Sequence, residues 1–147
     1  MKKTTLLHIV MVLLTVLALT SVAANGGRKF TTTLTGAAEI PGPGDPDGSG
    51  TATITLNPGQ GEVCWEIQVS GITLPATGAH IHLINPATGF GGVVVPLTPP
   101  DATGHSSGCT SADRDLIKGI IQNPEKYYVN VHSTEFPAGA VRGDLSK

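Results

Sequence analysis

The chain has 147 residues, nine Lys+Arg against eleven Asp+Glu for a formal net charge of −2, and 39% hydrophobic residues. That length fits one domain, and no basic run is present that could neutralise a row of phosphates, so a nucleic-acid binder is excluded. Nineteen glycines and eleven prolines are many for a helical protein and ordinary for a turn-rich β domain.

In chain order, residues 1–24 read as a secretory signal peptide. Lys2 and Lys3 form a basic start, residues 6–19 are almost unbroken apolar sequence, and Val22-Ala23-Ala24 offers the small-residue exit that signal peptidase reads. The apolar run, about 14 residues, falls short of the roughly 20 needed to span a bilayer. No cysteine sits at the cut to carry a lipid anchor. The expectation is a secreted or extracytoplasmic protein, periplasmic or extracellular, whose mature chain 25–147 is one domain with no membrane span. Cys64 and Cys109 are its two cysteines, and in an oxidising compartment a disulfide is the default. A metal-thiolate pair is disfavoured because the two lie far apart in sequence and neither belongs to a CxxC pair.

Period-2 patterns dominate the rest. Strands are predicted at 29–35, 50–57, 63–69, 79–84, 92–97, 127–133 and 140–145, with the row Val63, Trp65, Ile67, Val69 the clearest signal. Short strands separated by Gly/Pro turns predict an all-β, Greek-key β-sandwich or barrel. One short helix is predicted over 111–122, N-capped by Ser111 or Asp113, with Leu116, Ile117, Ile120 and Ile121 on its apolar face. Asn123-Pro124 ends it.

Strand alternation assigns the polar residues to faces. In 79–83 the apolar residues share one parity, and His80 and His82 share the other. In 127–132 Tyr127, Val129 and Val131 point to the core, and Tyr128, Asn130 and His132 away from it. In 140–145 Val141 and Leu145 point inward, Arg142 and Asp144 outward. Two histidines at i and i+2 lie roughly 6.6 Å apart along a strand, close enough for both rings to lean onto one ion. His132 on a neighbouring strand would complete a three-nitrogen metal site, and imidazole ligands suit copper, zinc or nickel, with copper preferred. His105 is a candidate fourth ligand, in a Gly/Ser stretch; Tyr128, Asn130, Arg142 and Asp144 would flank the ligands. His-x-His on a strand face is also compatible with solvated polar surface, or with histidines that brace backbone carbonyls.

Other candidates carry less. Asp45, Asp47 and Ser49 have the spacing of the start of a calcium loop, but Leu56 stands where the closing bidentate Glu belongs, so calcium is disfavoured and a flexible turn expected. Asp101, His105, Ser106 and Ser107 are the residue types of a hydrolase triad without a nucleophile elbow. Glu39 and Glu135 are expected to be solvated carboxylates.

Gly78-Ala79-His80-Ile81-His82, then Tyr127-Tyr128-Val129-Asn130-Val131-His132-Ser133, then the ending Pro137-Ala138-Gly139-Ala140-Val141-Arg142-Gly143-Asp144-Leu145, resemble the CHRD (chordin-type) domain. Leu34-Thr35-Gly36-Ala37-Ala38-Glu39-Ile40-Pro41 resembles that family's opening. Ser133 and Asp144 stand where the family usually has Thr and Gln. The resemblance covers about 30–145 and implies a single stand-alone CHRD domain in 25–147 with an extracellular, immunoglobulin-like β-sandwich. Within chordin, such domains are parts of a larger signalling antagonist; no common activity of stand-alone members carries over. His80-Ile81-His82, Val131-His132 and the Ala-Gly-x-x-Arg of 138–142 are also similar, in order, to motifs of Cu/Zn superoxide dismutases. That likeness implies copper ligands at the histidines and an anion-attracting Arg142, which keeps a redox enzyme open as the one catalytic reading. No second His/Asp cluster lies between His82 and His132 apart from His105, so no zinc subsite is implied. The other expectation is a non-catalytic extracellular binding or matrix module with structural histidines and a protein or polysaccharide partner.

Overall fold

A computed structural model describes residues 26–146; the predicted signal peptide lies outside the described residues. Eight strands and one helix follow in order: β1 (Arg28–Thr35), β2 (Ser49–Asn57), β3 (Glu62–Ser70), β4 (Gly78–Leu83), β5 (Val93–Leu97), β6 (His105–Ser111), α1 (Arg114–Gln122), β7 (Tyr127–His132) and β8 (Val141–Asp144). All pairings are antiparallel, in the order β5-β4-β7-β8-β1-β2-β3-β6. Between β8 and β1 the register holds at one pair, Thr35 with Arg142. The sheet turns there into two four-stranded halves, a near-barrel sandwich, so the predicted all-β architecture with one short helix is the one observed.

The apolar rows meet between the halves. Leu34, Ile54, Leu56, Val63, Ile67 and Val69 come from one half and Ala79, Ile81, Val95, Val129, Val131 and Val141 from the other, all essentially inaccessible to water. Fully burying each larger side chain contributes about 1.5–3 kcal/mol. Ile117 and Ile120 of α1 join this core. Asp113, not Ser111, caps the helix: its carboxylate accepts from the backbone N–H of Asp115 (2.9 Å) and Leu116 (3.0 Å). Two of the four orphan donors of the first turn are thereby satisfied.

The seven predicted strands occur with ends shifted by at most one residue, and β6 is an addition. His105–Ser111 has no apolar row because its inward positions do other tasks. Ser106 accepts from Trp65 Nε1–H (3.0 Å) and donates to the Thr98 carbonyl (2.6 Å). Gly108 leaves room for the Trp65 ring, which a side chain there would strike. Cys64 and Cys109 are directly paired across β3 and β6 and form the disulfide. No helix among the described residues is long and apolar enough to cross a membrane.

Candidate metal centre

Alternation along β4, β7 and β8 places the polar residues together on the face turned from the core. Across the strands, His82 pairs with Tyr128 and Tyr128 with Asp144. His80 pairs with Asn130 and Asn130 with Arg142, while His132 pairs with Gly78. A side chain at Gly78 would crowd the His80 and His132 rings, so its absence lets them meet. The three histidines each offer a nitrogen within 4.8 Å of the others.

The face is not open to solvent, as it would be if the His-x-His pair were only solvated polar surface. Three connections roof it: 36–48, 84–92 and 133–140. Tyr128, Asn130, Arg142 and His82 are buried beneath them, and His80 and His132 half-buried. The polar residues hold the roof by its backbone. His82 Nδ1 lies 2.8 Å from the Gly91 carbonyl, His132 Nδ1 lies 3.0 Å from the Pro137 carbonyl, and Arg142 Nη1–H donates to the Gly89 carbonyl at 2.8 Å.

These contacts settle the tautomers, because a carbonyl can only accept. His82 and His132 carry their protons on Nδ1, leaving an Nε2 lone pair on each. His132 Nε2 lies 3.2 Å from His80 Nδ1, so in the metal-free protein His80 donates there. Among the described residues, His82 Nε2 is buried with no hydrogen-bond partner. Burial, with the neighbouring His132 and His82, pushes His80 down to about 4, and burial also lowers His82. The His80 and His82 rings are therefore neutral at neutral pH, the state a metal ligand requires.

Arg142 takes a different place from the one implied by the dismutase likeness. Its Nε and Nη2 both reach Asp144 Oδ1 (2.9 and 2.8 Å), and its guanidinium lies 3.7 Å from the centre of the Tyr128 ring. The other neighbour of that ring is His82, stacked on it at 4.7 Å. With 2% of its surface exposed and its charge met by Asp144, Arg142 is a bolt through the layer and does not present a cation to solvent.

Other predicted residues fall elsewhere. His105 is on β6, paired with Gln68, and does not join the three-histidine cluster. Asp101 Oδ1 accepts from the Thr103 N–H and hydroxyl, and Ser106 is tied to Trp65 and Thr98, so the residues of 101–107 form no triad. Asp45 is buried, its N–H on the Ala140 carbonyl and its Oδ1 on the Asp47 N–H, which makes it a fixed corner.

Glu39 is the residue the sequence reading misplaced. Expected in solvent, it is 5% exposed, and Oε1 has no hydrogen-bond partner. Burial raises its carboxyl to about 7, against the opposing pull of Arg142 and Asn130. A Cβ at Gly139, whose φ is +146°, would overlap its carboxyl group. The available signal was the pairing of Glu39 in the opening motif with a glycine in the ending motif. Glu135 is exposed, as expected.

The fold and this roofed cluster define a disulfide-bonded β-sandwich domain of extracellular type with three converging imidazoles. The CHRD domain profile matches residues 30–145, and the chain belongs to that family. A comparison with curated proteins found no match.

Proposed function

We propose that this domain works outside the cytoplasm and holds one divalent transition-metal ion, copper by preference, on His80, His82 and His132. The observation that carries the proposal is the buried, unpartnered Nε2 of His82, within reach of a nitrogen of each of the other two histidines. An orphaned buried acceptor costs about 1–3 kcal/mol, which a ligand would recover. The 3.2 Å between His80 Nδ1 and His132 Nε2 also fits: two nitrogens about 2.0–2.1 Å from one ion stand that far apart at an angle of roughly 100°. Moving the His80 proton from Nδ1 to Nε2 turns that hydrogen-bonded pair into two donors. Gly91 and Pro137 hold the other two rings in the ligating tautomer, as backbone carbonyls commonly do for metal-bound histidine. Bound copper would supply a redox couple. The buried, ion-paired Arg142 gives no support to electrostatic capture of an anionic substrate, so binding or storage is favoured over catalysis.

The test is copper titration of the mature protein, purified without a His-tag, with metal analysis and Cu(II) EPR. One equivalent with nitrogen hyperfine structure is expected, lost in His82→Ala. The absence of stoichiometric binding would overturn the proposal in favour of the second reading, a matrix or binding module with structural histidines. The observation on that side is that all three rings already tie down backbone or one another. Under it, His80→Ala and His82→Ala would lower thermal stability equally with and without a chelator. Secretion through residues 1–24 belongs to the same proposal and is checked by N-terminal sequencing of the exported protein.

A further inference from the structure

On the opposite side of the sandwich, the outward row of β3 brings Glu62 and Cys64 together beside Cys109 of β6. Glu62 Oε1 lies 3.4 Å from Cys64 Sγ, and one donor atom from each of the three residues lies within 4.8 Å of the others. Cys109 is exposed, so a reductant can reach the bond. The β3–β6 ladder runs for seven residue pairs on both sides of the cysteines, from Glu62–Ser111 to Gln68–His105. Its hydrogen bonds hold the two positions face to face independently of the sulfur bridge. Beside them lies a hollow of about 250 Å³ lined by Lys29, Thr55, Glu62 and Cys64 among others.

We propose that the disulfide masks a second metal site: once reduced, Cys64 and Cys109 bind a zinc-class d10 dication as two thiolates, with the Glu62 carboxylate as third ligand. The reductant is a dithiol. It passes two electrons and two protons to the Cys64–Cys109 bond, which opens to two thiols, and is itself left as a disulfide. The incoming dication displaces both thiol protons to solvent. Two sulfurs and a carboxylate oxygen are a donor set such an ion accepts, the hollow leaving space for water as the fourth ligand. Exchange with an external disulfide, which takes up the two electrons and leaves as a dithiol, re-forms the Cys64–Cys109 bond, removes both sulfur ligands and expels the ion. By the same linkage, the bound ion protects the thiols from oxidation. The site is independent of the three-histidine cluster and stands or falls without it.

The experiment is cadmium titration of the protein reduced by a phosphine under argon and then freed of reductant, read by the ultraviolet thiolate-to-metal absorption that imidazole ligands do not produce. A band saturating at one equivalent is expected, absent from the oxidised protein. Glu62→Gln should weaken binding at least about tenfold, and bound cadmium should slow air reoxidation by a similar factor. No saturating band, or unchanged affinity in Glu62→Gln, overturns the proposal. So does reduced protein whose single tryptophan, Trp65, packed against Gly108 on the core side of the same ladder, emits like that of the unfolded chain, because the site needs the ladder intact.

Discussion

Glu39 and His80 titrate in opposite senses, and the metal-free protein feels both. The Glu39 carboxyl is raised from 4.5 to about 7, so the folded state keeps a proton that the unfolded chain gives up. The stability this contributes is fully present below pH 4.5 and is lost as pH rises through 7. His80 is lowered from 6.5 to about 4; its contribution is fully present above pH 6.5 and lost as pH falls through 4. Between 4.5 and 6.5 the two slopes oppose. Glu39→Gln removes the first slope. Relative to wild type, the variant should gain on the order of 2 kcal/mol from pH 4.5 to 7, water at the pocket trimming the full linkage. Urea midpoints across that range check it; parallel curves would refute it. Arg142→Lys tests the bolt through the layer. An ammonium cannot reach Asp144 and Gly89 together while lying flat on Tyr128, so a loss of about 2–3 kcal/mol is expected in the same assay.

At the scale of elements, what was legible in the sequence divides by periodicity. The rows of β3, β4 and β7 alternate cleanly, so the shared face of His80, His82, Tyr128, Asn130 and His132 followed from parity alone, and the register confirms it. The helix start followed from cap chemistry, with Asp113 chosen over Ser111 by the contacts it makes. Asp113→Ala should cost about 1 kcal/mol, measurable as a shifted denaturation midpoint, whereas Ser111→Ala should leave stability near wild type. β6 was hidden because serine and glycine hold its inward positions beneath Trp65, a pattern that reads as a loop when its partner strand is unknown. The roof was hidden for a related reason. The connections 36–48, 84–92 and 133–140 have no period to read, and they meet through single contacts such as Gly89–Arg142 and Gly139–Glu39. Alternation therefore assigned the face correctly but gave no sign that it is covered.

At the scale of the whole molecule, the sandwich separates its two polar faces. His82 lies under the roof outside β4 and β7, Cys64 lies outside β3, and the apolar rows of both halves fill the space between them. The halves are one sheet, joined between β1 and β8 by the Thr35–Arg142 pair and by the Thr32 hydroxyl on the Asp144 carbonyl, and the edge strand β6 is held by its β3 ladder and the disulfide. That bond spans 45 positions of sequence, and a loop of that length confers about 4 kcal/mol through restriction of the unfolded chain. Replacing both cysteines by serine should cost about that much while leaving the copper titration proposed for the histidines unchanged. Because no side chain is shared between the two faces, the serine pair and His82→Ala should be additive in stability to within about 0.5 kcal/mol. A larger coupling energy in that double-mutant cycle would mean that loss of the disulfide is felt across the core, and that the two halves yield as one body.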